Sequence, residues 1–199
     1  MALPKENKKF YQKDRLDLAI DDFAKLDKPT IADLNRVGTI GQVQERLEAY
    51  RTQGQKMSIE ELEGEKHNSQ RMGALMAASG DPRPHTLCDA HAIISGEHAS
   101  AAKLRAVLAW FQRRIDDPVN GCWLPRNTAA KAQMPRRLRN AVPHSRIHRK
   151  HYYQWLETLV NLPLIKSDKM LVQTLEMIEL KLQSSTFPER VMLPAGKEA

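Results

Sequence analysis

Apolar positions recur at helical spacing over most of the chain. In residues 13–27, Leu16, Leu18, Ile20, Phe23 and Leu26 lie around an amphipathic pattern. Thr30 followed by Asp33 predicts a helix start ahead of Ile31, Leu34 and Val37, and a further stretch with Val43, Leu47 and Tyr50 ends near Gly54. Ser58 with Glu61 three residues later is a capping box, in which each side chain satisfies an orphan amide of the first turn. It predicts a helix running towards Met76. Ala78-Ser79-Gly80 and then Asp81-Pro82-Arg83-Pro84 form a break, because glycine closes a helix and two prolines prevent its continuation.

The texture changes after Pro84. Thr86 to Ile94 suits a short strand, and Ala101 to Ile115 carries Leu104, Val107, Leu108, Phe111 and Ile115 at helical spacing. Asp116-Asp117-Pro118-Val119-Asn120-Gly121 is turn chemistry, and Cys122-Trp123-Leu124 reads as a second short strand. Residues 126–142 are a basic connection. His144 to Val160 reads as a helix, and Ser167 to Gln183 carries the stripe Leu171, Leu175, Ile178, Leu182 before a proline-containing tail. The expected fold class is α+β and mostly helical. Three parts are expected: an N-terminal helical region 1–80, a central domain 81–162, and a C-terminal helix and tail 163–199.

Composition bounds this picture. The 199 residues are 41% hydrophobic and 28% charged, enough apolar material for an ordinary core. A wholly disordered or collagen-like chain is excluded. No apolar run approaches the roughly 18–20 residues of a membrane-spanning helix, and the first twenty residues are too charged for a signal-peptide core. Cys88 and Cys122 make neither a disulfide framework nor a zinc-type spacing.

Charge sharpens it further. Twelve Lys and Arg against two Asp fall between Ala101 and Lys150, a local charge of +10, which leaves −3 for the rest of a chain whose formal net charge is +7. The basic character therefore belongs to one segment, as expected of a nucleic-acid-binding surface. A solvated basic loop or a surface for an acidic protein would carry the same charge.

Six of the seven histidines lie between His85 and His151, inside or beside that segment. Imidazole is the commonest metal ligand, so the spacing matters. His144 and His148 are four apart, which on a helix puts both rings on one face within reach of one cation. Two solvent-facing or phosphate-contacting histidines would have the same spacing.

The order of elements adds to this. Ala90-His91-Ala92-Ile93-Ile94, then Asn120-Gly121-Cys122-Trp123-Leu124-Pro125, then His144-Ser145-Arg146-Ile147-His148-Arg149-Lys150 resembles the AHH branch of the HNH nucleases, toxin domains of the ββα-metal fold. The last segment is also similar to that of the colicin DNases. The resemblance covers roughly residues 84–160. It implies two short antiparallel strands and a metal-binding helix, here with helical N- and C-terminal extensions. It implies His91, His144 and His148 as ligands of one divalent ion, with Zn, Ni, Mg and Mn all open, and Asn120 as the residue that braces the loop. Hydrolysis of a phosphodiester would then use that ion as Lewis acid and template.

One position departs from the pattern. The family carries a second histidine directly after the first, and there it deprotonates the attacking water; here that position is Ala92, which has nothing to titrate. A pseudo-nuclease and a deliberate His-to-Ala change both explain it, and the retained metal positions favour the second. His85 and His98 are the substitutes considered, and both read as surface residues.

Arg126, Arg136, Arg137, Arg139, Arg146, Arg149 and Lys150 are the candidate phosphate contacts, which would give salt-sensitive affinity with little sequence preference. Trp123, Trp155, Tyr152 and Tyr153 read as core. The expectation is a metal-dependent endonuclease acting on DNA, with RNA also open, as an antibacterial toxin or effector domain in an inactive form. The resemblance also implies a cognate immunity protein and delivery by a secretion apparatus into a target bacterial cytoplasm from a cytoplasmic producer form. Two other readings stay open: a non-catalytic nucleic-acid-binding or regulatory pseudo-nuclease, and a structural module whose helices bind a partner.

Overall fold

A computed structural model describes residues 8–193. Helix α1 (Arg15–Ala24) starts where Asp14 accepts from the Asp17 amide at 2.8 Å and Asp17 accepts from the Asp14 amide at 3.1 Å. Helix α2 (Ile31–Gly54) starts at the predicted Thr30–Asp33 pair, but it is one continuous helix where two stretches were expected. Gly38 and Gly41 do not break it, and Leu16 of α1 packs 3.7 Å from where a Cβ of Gly41 would be. Leu47 and Tyr50 of α2 form a small core with Leu75, whereas Ile31 and Leu34 stay exposed.

The helix expected from Ser58 to Met76 is two helices. The capping box opens only α3 (Ile59–Glu63), and a second start at Asn68, whose side chain accepts from the Arg71 amide, opens α4 (Ser69–Ser79). Between them the chain is stretched by stronger partners: Glu65 accepts from Arg114, and buried Asp116 accepts from the Asn68 amide at 3.0 Å. Helix α4 ends at Gly80, whose φ of +107° is readily available only to glycine.

Strands β1 (Cys88–Ala92) and β2 (Gly121–Pro125) pair antiparallel, with His91 opposite Cys122 and Ala92 opposite Gly121. Alternation along β1 sends neighbouring side chains to opposite faces. Ala90 faces α4, which comes close because its residue 73 is glycine: a Cβ there would lie 3.1 Å from the Trp123 ring and 3.6 Å from Ala90. His91 faces the other way. Between the strands run α5 (Ala102–Trp110) and a tight turn with Gln112 at φ +55°, so the predicted helix to Ile115 stops five residues early.

Helix α6 (Lys150–Leu159) starts six residues later than predicted. His144–Arg146 is a single tight turn, and His148 precedes the helix. The turn does not run on into α6 because Arg149 between them is extended, with φ −128° and ψ 160°. Helix α7 (Asp168–Ser184) follows the predicted stripe, with Leu171, Leu175, Ile178 and Leu182 all fully buried. Met72 and Met76 of α4, both strands, α6 and α7 share one core, so packing is continuous across residues 80 and 162. The last six residues of the proline-containing tail lie outside the described ones. Among the described residues no helix is long and apolar enough to cross a membrane.

Candidate metal centre

His91 is fully buried at the inner end of β1. Its ring centre lies 5.2 Å from that of His144 and 4.9 Å from that of His148, and the Nε2 atoms of the latter two are 3.3 Å apart. One ligand atom from each of the three lies within 4.8 Å of the others, the arrangement three imidazoles need to share one cation. HxxxH spacing thus converges on His91 without a helix; the turn after Pro143 performs the folding that 3.6-residue periodicity was expected to do.

Each ring is held from behind. The Nδ1 of His144 faces Asp89 Oδ2 at 3.3 Å; a carboxylate only accepts, so that nitrogen carries the proton and Nε2 keeps its lone pair. Arg126 donates to the other oxygen of Asp89 at 3.2 Å. His148 Nδ1 meets the Tyr153 hydroxyl at 2.9 Å, and Tyr153 stacks on His98 at 4.4 Å. His91 Nε2 lies 3.2 Å from the Tyr152 hydroxyl, while its Nδ1 is enclosed and has no hydrogen-bond partner.

Electrostatics keep two of the three rings unprotonated. Burial, then the nearby charges of His148 and His144, push His91 well below the ordinary imidazole range. Burial, then His144, pushes His148 down to about 4. Neutral imidazoles are the form that binds a metal, so at neutral pH protons do not compete for these two.

Asn120 is also buried, and it spans the turn. Its amide donates to the carbonyls of Ile94 at 3.0 Å and Ile115 at 2.8 Å, and its carbonyl accepts from the Ile94 amide at 2.8 Å. The segment leaving β1 is thereby fixed to the one entering β2. Ala92, 3% exposed, lies on the α4 face of the sheet, away from His91.

The basic candidates divide. Arg126 pairs with Asp89, Arg137 with Asp81 at 3.5 Å, Arg139 donates to the Met134 carbonyl and Arg149 to that of Met192. Arg136, Arg146 and Lys150 are exposed and have no ion pair among the described residues. A cleft of about 540 Å³ opens beside His144, lined by Gln70, Gly73, Arg83, Asp89 and Trp123.

Sequence reasoning missed the supports. Asp89 alternates with His91 on β1, and Tyr152 and Tyr153 follow HxxxH by four and five residues; their types were visible, but their hydroxyl contacts depend on how α6 docks. His85 accepts from the Leu87 amide, and His98 from the Ser100 amide. His67 was overlooked: its Nδ1 contacts buried Asp116 at 2.5 Å, and its charge reaches His91 and His148.

A family model described as a nuclease family of the HNH/ENDO VII superfamily with conserved AHH matches residues 72–176. The match begins inside α4, takes in both strands, all three clustered histidines and α6, and ends inside α7. No curated protein and no solved structure matches the chain.

Proposed function

Because the chain belongs to the AHH nuclease family of the HNH/ENDO VII superfamily, we propose that it is a metal-dependent endonuclease domain acting on DNA, an antibacterial toxin or effector, in a form that has lost its general base. The observation that carries the metal reading is His91 Nδ1, a buried ring nitrogen with no hydrogen-bond partner, on a ring grouped with two further imidazoles whose ligand atoms lie within 4.8 Å of one another. Leaving such an atom unpaired costs about 1–3 kcal/mol, which a bound cation would offset. HNH-superfamily nucleases use a divalent ion; bound here, it would polarise a phosphodiester and stabilise the leaving oxygen.

The chain's own residues have separate tasks. His91, His144 and His148 hold the ion; three imidazoles favour zinc or nickel, and manganese or magnesium can serve a site with open positions. Asn120 keeps the end of β1 and the start of β2 at fixed separation, so that His91 stays where the other two can meet it. Arg136, Arg146 and Lys150 are free to contact phosphates, with Arg126, Arg137, Arg139 and Arg149 available once their present partners yield. Ala92 can neither take nor give a proton, so water attacking phosphorus finds no base at that position.

An immunity protein and delivery into a target cell's cytoplasm belong to the same reading. They rest on the family's toxin character alone. The pseudo-nuclease alternative rests on Ala92 itself: the buried side chain leaves the histidine cluster complete and the base position closed.

The test is Ala92→His with plasmid DNA, with and without chelator. Nicking that appears in the variant and disappears with chelator is expected. Cleavage by neither chain, alongside DNA binding by both, would favour the pseudo-nuclease. Residue 92 faces α4, so the new ring serves as base only by turning the end of β1 towards the cluster, and the variant is expected to lose about 1–3 kcal/mol of stability.

A further inference from the structure

The hydrogen-bond pattern around His91 fixes more than its place in a ligand set. Tyr152 is fully buried, and its phenol hydroxyl has one proton to give at neutral pH. That oxygen has two neighbours, the Ile93 carbonyl at 2.8 Å and His91 Nε2 at 3.2 Å. A carbonyl can only accept, so the phenol proton goes to Ile93. Were it given to His91, two oxygen lone pairs would face each other at 2.8 Å in a dry interior. The phenol can therefore only accept from His91, and the proton of the neutral ring sits on Nε2. The lone pair is left on Nδ1, the atom that is enclosed and unpartnered.

His144 is locked in the opposite sense. Asp89 accepts from its Nδ1, so its lone pair is on Nε2, which faces His148 Nε2. We propose that Tyr152 is a positioning residue that sets His91 as an Nδ1 ligand, within a mixed site where His144, held by Asp89, and His148, held by Tyr153, offer Nε2. This deepens the metal reading above and rests on it. The Tyr153 hydroxyl can donate to or accept from His148 Nδ1. In the free protein it donates, so that His148 Nε2–H points at His144 Nε2; with a cation present the contact reverses and the ring's proton moves to Nδ1. Two rings are thus preset and one is adjustable.

Partners of ligating histidines commonly change metal affinity about 10–100-fold when removed. Tyr152→Phe keeps the ring and removes only the oxygen, so zinc affinity should fall by that factor while the fold is retained. The direct readout needs neither activity nor a variant: long-range proton–nitrogen correlation spectra of the nitrogen-15-labelled full chain, before and after zinc. His91 is expected as the Nε2–H tautomer in both states, with zinc shifting its Nδ1 and the Nε2 of His144 and His148. An Nδ1–H tautomer for His91, or zinc shifts on its Nε2, overturns the assignment while leaving a metal site in place. Zinc that shifts no histidine overturns the metal reading and this assignment together. Unchanged zinc affinity in Tyr152→Phe removes Tyr152 from its role.

Discussion

Two groups of buried polar side chains, one at the turn before β2 and one around His91 of β1, differ in one respect. Around Asp116 and Asp117 the carboxylates meet many donors: Asp116 accepts from Arg71 at 2.7 Å and the Asn68 amide and contacts His67, while Asp117 accepts from Arg51 at 3.1 Å, Arg113 at 3.1 Å and the Val119 amide. Around His91 each ring is held by a neighbour, and one enclosed nitrogen, His91 Nδ1, has no partner. A saturated cluster acts as structure: it fastens α2 and α4 to the turn before β2. An unsaturated one, supported by neighbouring side chains, is the arrangement that the proposed metal site needs.

The comparison can be broken at its structural side first. Asp116→Ala takes one of two carboxylates from Arg71, which keeps Glu65, strips His67 of its partner and leaves the Asn68 amide unpaired. Breaking a buried ion pair from one side costs about 3–5 kcal/mol, so this variant should show the largest fall in thermal midpoint. A midpoint within a degree of the parent's would show that the acids fasten nothing.

A smaller effect comes from Glu179 on α7, a carboxylate that is neither saturated nor held open. Burial first, then the charge of Asp81, raise its pKa to about 7, while Arg137 and Gln183 oppose the rise. A raised carboxylate binds its proton more tightly in the folded state, so its contribution is complete below the unfolded value of about 4.3 and is lost as pH climbs through 7. Midpoints of the parent should fall between pH 5 and pH 8 relative to Glu179→Gln. Parallel curves would mean that Glu179 is solvated.

The legible parts of this molecule were those set by local pattern. The capping residues Thr30 and Ser58, the stripe in α7 and the two strands follow from short-range chemistry. The set His91, Asn120, His144 and His148 came instead from the resemblance, whose motif order needs no knowledge of packing, and the structure brings the three histidines together. The misplaced parts were set by distant partners. Asp116 looked like turn chemistry and is a buried anchor that splits a predicted helix at residues 64–68. His144 looked like a helix residue because spacing by four permits it, yet the extended backbone of Arg149 cuts its turn off from α6. Tyr152 and Tyr153 were read as core, and they are, but the hydroxyls that support the histidines cannot be seen until α6 is docked against β1.

Zinc binding by calorimetry on the full chain, beside His144→Ala, tests the central claim most directly. One ion per chain in the parent, with binding lost in a variant whose thermal midpoint stays near the parent's, is the predicted result. A parent that takes up no divalent ion, or a variant that binds zinc as tightly as the parent, would contradict it.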